Sequence, residues 1–147
     1  KLYVMYELLK HTHSGLRWVV LILMLIALYN AFTAKSFEKR NKLVNLFSMV
    51  SLHTQLLLGL ILYFISPRVT FNTGWMGNPS FRFYGMEHLA GMVIAVALVT
   101  LGYVKSKKGS NPEAIYKPIK TFYILGLILI LLSIPWPFRA NLGGAWF

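Results

Sequence analysis

The chain has no cysteine and no aspartate among its 147 residues. Without cysteine there is no disulfide, thiolate metal site, iron–sulfur cluster or covalently attached c-type haem. Carboxylates are confined to Glu7, Glu38, Glu87 and Glu113, so paired-carboxylate acid–base chemistry has little to draw on. HExxH, GxSxG, Walker and glycine-rich dinucleotide fingerprints are absent too, which removes the enzyme classes those motifs mark. Charge of either sign is scarce: 13% of residues are charged and 56% hydrophobic, too little charge to cover a soluble domain of this size.

What the chain does have is apolar segments near the ~20 residues that cross a bilayer core. They predict an all-α integral membrane protein, a single domain of four transmembrane helices in an up-down bundle, with spans at about 12–33, 43–65, 83–104 and 118–135. The second span stops at Ser66-Pro67 and the fourth at PWP, because proline cannot continue a helix. The first helix has no breaker back to Tyr3. Glu7 and Lys10 interrupt its apolar run and no small-residue cleavage site follows, so the start does not read as a cleavable signal peptide. Met5 is an alternative initiator.

The formal charge of +11 comes from clustered lysines and arginines. Lys35, Lys39, Arg40 and Lys42 lie between the first two spans, and Lys105, Lys107, Lys108 and Lys117 between the last two, with Lys120 at the start of the fourth. The other side carries Lys1, Lys10, Arg68, Arg82 and Arg139, spread among Trp75, Trp136 and Trp146. The positive-inside bias then places both termini and the 66–82 loop outside the cytoplasm, on the periplasmic side of a bacterial inner membrane. It also accounts for the basic charge with the lipid bilayer as partner and no nucleic acid.

Two spans repeat. TQLLLGLILYFISP from Thr54 and TFYILGLILILLSIP from Thr121 share a threonine, a Gly-Leu-Ile-Leu run and a closing Ser and Pro. Superposing the odd spans matches His13 with His88. Two tandem helical hairpins about a pseudo-two-fold axis along the membrane normal fit this pattern.

Ionisable groups inside a bilayer are costly and mark functional sites, which directs attention to His11, His13, His53 and His88. His13 and His88 fall within about two turns of the same end of their helices. In a bundle with neighbouring axes ~8–10 Å apart, the diagonal is ~12–14 Å, which two imidazoles with a metal between them can fill. A b-type haem with two axial histidines meets that geometry without cysteine. Gly91, three residues after His88, offers a small side for a flat macrocycle. Arg17, Arg82 and Tyr84 are candidates to receive its propionates. His11, about 200° around the helix from His13, is the interfacial bystander. His53 lies deeper and stays open: an alternative ligand, a quinone contact together with Gln55, or a histidine bonded to a hydroxyl or carbonyl across a helix interface. A purely structural reading of the main pair also exists, with Glu87 neutralising Arg17.

At HSGLRWVVL, HTQLLLGLILYF and MEHLAGM the chain resembles a group of small bacterial four-helix membrane proteins labelled cytochrome b-like, from about Met5 to Arg139. The resemblance implies a non-covalent b haem and electron transfer in the inner membrane. His13 and His88 match the group's leading histidines, with His53 a further candidate. The four matched histidines of a two-haem cytochrome are lacking, which favours one haem.

The resulting expectation is a membrane cytochrome that relays electrons, with quinol a possible donor, as a small subunit of a larger respiratory or oxidoreductase complex. It is an electron-transfer subunit more than an enzyme in its own right. The aromatic 69–83 loop and the tail PWPFRANLGGAWF are expected to dock partner membrane proteins or to lie on the membrane as amphipathic segments. The rival expectation is a haem-free accessory subunit that scaffolds such a complex.

Overall fold

A computed structural model describes residues 2–146, with the backbone alone described at Leu2. Among the described residues there is no strand. Four long helices make up the chain: α1 (Leu2–Thr33), α2 (Lys39–Ile65), α3 (Pro79–Ser106) and α4 (Pro112–Ser133). All four are long and apolar enough to cross a membrane, and the chain is a multi-pass membrane protein built as a four-helix bundle. Ile22, Leu25, Leu57, Ile61, Ile94, Leu101, Ile128 and Leu132 point outward, the arrangement expected where lipid replaces water.

The helices begin earlier than hydropathy alone indicates, because polar caps precede the apolar runs. Asn78 accepts from the Ser80 and Phe81 amides, with Pro79 in the first turn of α3. Asn111 accepts from the Ala114 amide, with Pro112 in the first turn of α4. Both follow the rule that asparagine caps and proline opens a helix. Pro118 lies inside α4 without ending it. In α3 the turn Phe83–Glu87 is a single wide π-turn. Its extra residue rotates His88 and all that follows by about 100° relative to Pro79–Arg82.

Contacts run α1 to α2, α2 to α3, α3 to α4 and α4 back to α1, so α1 and α3 are diagonal. Met24 and Ala27 of α1, Leu52 of α2, Ala95 and Val99 of α3, and Ile119 and Tyr123 of α4 fill the core at 2% exposure or less. Without a strong hydrophobic force between helices in lipid, close packing at small residues does much of the work. The seam between α3 and α4 shows it. A Cβ on Gly91 would collide with the Ser133 hydroxyl, and one on Gly102 would lie 2.8 Å from Phe122 Cβ and 3.2 Å from Pro118 O. One on Gly126 would lie 2.8 Å from Val99 Cγ2. Tyr123 Oη donates to Asn45 O (3.1 Å) and Tyr116 Oη to Ser36 O (3.0 Å), tying α4 to α2 and to the first basic link.

Gly102→Val therefore lowers stability in detergent by about 1–3 kcal/mol through overpacking, measured as a lower unfolding temperature. Gly15→Ala, whose added Cβ meets nothing within 4 Å, leaves it unchanged or raises it by about 0.5–1 kcal/mol through helix propensity.

Candidate functional site

His13 and His88 meet at the end of the bundle away from the basic links. Their ring centroids are 6.3 Å apart with planes at 75°. His13 comes from α1 and rests on α2 at Gly59, where a Cβ would sit 3.1 Å from His13 Cε1. One turn earlier on α2, Gln55 Nε2 donates to His13 O (2.7 Å). His88 follows the π-turn of α3, and its Nδ1 lies 2.7 Å from Ser133 O. Ser133 is the last residue of α4, where carbonyls have no partner within their own helix. A carbonyl only accepts, so the proton sits on His88 Nδ1 and the Nε2 lone pair is left free. Phe83 flanks the same ring at 5.7 Å.

Two imidazoles bound on opposite sides of one metal atom, at the ~2 Å metal–nitrogen distance of histidine ligation, have ring centres about 6 Å apart. The His13–His88 spacing is of that size. Among the described residues no group of three or more histidine, glutamate or other ligating side chains could hold a metal ion. A bare ion such as zinc wants about four ligands from its surroundings. Two histidines instead suit a macrocycle that brings the remaining ligands itself.

The pair opens on a cavity of about 350 Å³, within the range of cofactor sites. Arg17, Gln55, Arg68 and Tyr84 line it together with Val20, Leu52, Val96 and Ile130. Three buried polar atoms around it, His13 Nδ1, Arg17 Nε and Gln55 Oε1, have no hydrogen-bond partner. Buried groups of this kind cost about 1–3 kcal/mol each when unpaired, so the cavity favours a guest with polar groups. The cavity wall is also electropositive. Among the described residues neither Arg17 nor Arg68 has a carboxylate within ion-pair distance, the pairs formed being Glu7 with Lys10 and His11, and Glu87 with Arg82.

The tail closes the mouth of this cavity. Arg68 Nη1 donates to Tyr84 Oη (2.8 Å), Leu142 O (3.0 Å) and Gly143 O (2.9 Å). Tyr84 Oη in turn donates to Leu142 O (3.0 Å). Arg17 Nη2 and Trp18 Nε1 donate to Trp146 O at 2.6 and 3.1 Å. The turn that brings the tail back has Asn141 and Gly143 at φ of 70° and 58°, the left-handed region that glycine and asparagine tolerate. The tail expected to dock partners is thus engaged by its own bundle.

Of the residues singled out from sequence, His13, His88, Arg17 and Tyr84 converge on the cavity. Arg82 does not: its Nε donates to Glu87 Oε1 at 2.6 Å and its Nη1 to Met76 O, outside the lining. That pairing also separates Glu87 from Arg17. Gly91 gives its small size to the Ser133 contact of the α3–α4 seam and not to the cavity. His53 is apart from the other two, with Nδ1 2.9 Å from Met49 O and Nε2 3.4 Å from Thr100 Oγ1; Gln55 serves His13 instead. His11 is mostly exposed at the rim, 3.7 Å from Glu7. Arg68, Gly59 and Ser133 are the site residues that sequence reasoning missed. Only Gly59 carried a signal, as the shared glycine of the repeat.

No family model, curated protein or solved structure matches the chain.

Arg68→Gln removes the guanidinium that gathers Tyr84, Leu142 and Gly143. Trypsin cleavage after Arg139 is expected to speed up roughly tenfold as the tail detaches, read by mass spectrometry; an unchanged rate shows that the tail is held elsewhere.

Proposed function

We propose that the chain is a membrane-bound b-type cytochrome that holds one non-covalent haem b between His13 and His88. The observation that carries this reading is the 6.3 Å approach of two imidazoles from diagonal helices, beside a cavity lined by Arg17 and Arg68. Each residue then has a task. The Ser133 carbonyl holds the His88 ring with Nε2 available, and Gly59 leaves room for the His13 ring against α2. Arg17 and Arg68 receive the propionates by charge-assisted hydrogen bonds, with Tyr84 beside Arg68. Val20, Leu52, Val96 and Ile130 keep the floor dry, and the tail shields the mouth from water. Bound there, haem b would supply one-electron transfer, with His13 and His88 as the residues that would hold it. His53, set apart from the pair beside Met49 and Thr100, takes no part in ligation on this reading.

The resemblance to cytochrome b-like proteins points the same way. It also suggests a bacterial inner membrane, and so small a chain would work as a subunit among partner membrane proteins of a redox complex, with a quinol as donor. The basic links lie in the cytoplasm by the positive-inside bias, which puts both ends of this chain and the haem on the periplasmic side.

A purified preparation is expected to show a Soret band and a reduced-state α band. His13→Ala and His88→Ala each abolish the pigment, whereas His11→Ala and His53→Ala retain it. A colourless preparation from haem-replete cells contradicts the cytochrome reading and favours the accessory-subunit rival.

A further inference from the structure

The basic end of the bundle carries a second cavity, of about 320 Å³, that the redox reading does not use. Lys42 and Asn45 of α2, Tyr103 and Ser106 of α3, and Lys107 just beyond line it. The two lysines are exposed, while Asn45 is buried at 2% exposure. Neither Nδ2 nor Oδ1 of the Asn45 amide has a hydrogen-bond partner. Buried amides are nearly always satisfied, so a polar ligand is called for at this point. Ser106 Oγ donates to Tyr103 O (2.7 Å), which leaves its oxygen as an acceptor. Lys107 Nζ sits 5.7 Å over the Tyr103 ring.

The ligand's charge follows from what surrounds the cavity. Both basic links emerge here, with only Glu38 and Glu113 as acidic neighbours in sequence. Glu38 accepts from the Ser36 hydroxyl, and among the described residues no lysine of this end has a carboxylate within ion-pair distance. Two lysines and a buried amide donor together describe an anion site, and phosphate suits lysine as a point charge. The level in the membrane identifies the source. Lys105 Nζ and Lys120 Nζ each lie 5.1 Å over an aromatic ring, Phe122 and Phe32, as side chains do where apolar core meets headgroups. Basic pockets between transmembrane helices at this level take anionic lipid headgroups.

We infer that this cavity binds the phosphate of an anionic phospholipid, with Lys42 and Lys107 supplying charge and Asn45 Nδ2 donating to a phosphate oxygen. The inference is independent of the haem. Native mass spectrometry of the full chain released from mixed phosphatidylglycerol and phosphatidylcholine nanodiscs reads the retained lipid. The unaltered chain keeps phosphatidylglycerol preferentially. The Lys42→Gln, Lys107→Gln pair, both on exposed side chains, weakens retention about 30-fold, as expected for two juxtamembrane lysines. Asn45→Ala weakens it about tenfold; should that variant not fold, the lysine pair carries the test. Lys39→Gln with Lys117→Gln removes the same charge from the same end but off the cavity, and retention stays within about twofold. Equal loss in both lysine pairs overturns the site in favour of diffuse surface charge. Absence of preferential retention also overturns it, and displacement of the lipid by inorganic phosphate overturns the lipid assignment in favour of a soluble anion.

Discussion

The close approach of α3 and α4 sets the geometry on which the site depends. Gly91, Gly102 and Gly126 let the two helices touch where any larger side chain would collide, and the contact brings the terminal carbonyl of α4 against His88. That hydrogen bond does two things at once. It satisfies a helix-end carbonyl that would otherwise lack a partner, and it orients an imidazole toward the bundle interior. The first hairpin solves the same problem differently, seating His13 directly on Gly59 of α2. Each histidine is thus placed by the helix that follows it in the chain, and the ring order of the helices turns those local placements into one shared centre.

The two ends of the bundle use different cations for their main contacts. At the histidine end arginines line the cavity and hold a folded-back tail through backbone carbonyls, which suits planar, multidentate donors. At the opposite end lysines dominate, and their flexible stems reach the membrane surface. Electron transfer and lipid anchoring, as proposed here, draw on these two chemistries separately. A change at one end is not expected to disturb the other, since Val99, Ile119 and Tyr123 fill the core between them at 0% exposure.

Much of the fold could be read from hydropathy, because four spans with short basic links leave few alternatives to an up-down bundle. Helix starts were harder, since Asn78-Pro79 and Asn111-Pro112 look like loop sequence although they are capping signals. The meeting of His13 and His88 followed from equal depth on alternate spans. Arg82 was named with Arg17 and Tyr84 as an anion partner, but the π-turn and the Glu87 ion pair take it away. Arg68 reaches the cavity from the far side of the 66–82 loop, and no spacing rule could show it. Gly91 was expected to leave room for a macrocycle, and its small size makes room for Ser133 instead. His53 was left open because its partner Thr100 is on another helix, and pairings between helices leave no periodic mark.

The central claim is that His13 and His88 ligate one metal from opposite sides. Electron paramagnetic resonance of the oxidised protein, with histidine selectively labelled with nitrogen-15, addresses it directly. The account predicts a low-spin ferric signal coupled to two histidine nitrogens, with the strong anisotropy of imidazole planes lying far from parallel, as the 75° angle between the rings requires. A high-spin signal, or coupling to a single histidine, contradicts it.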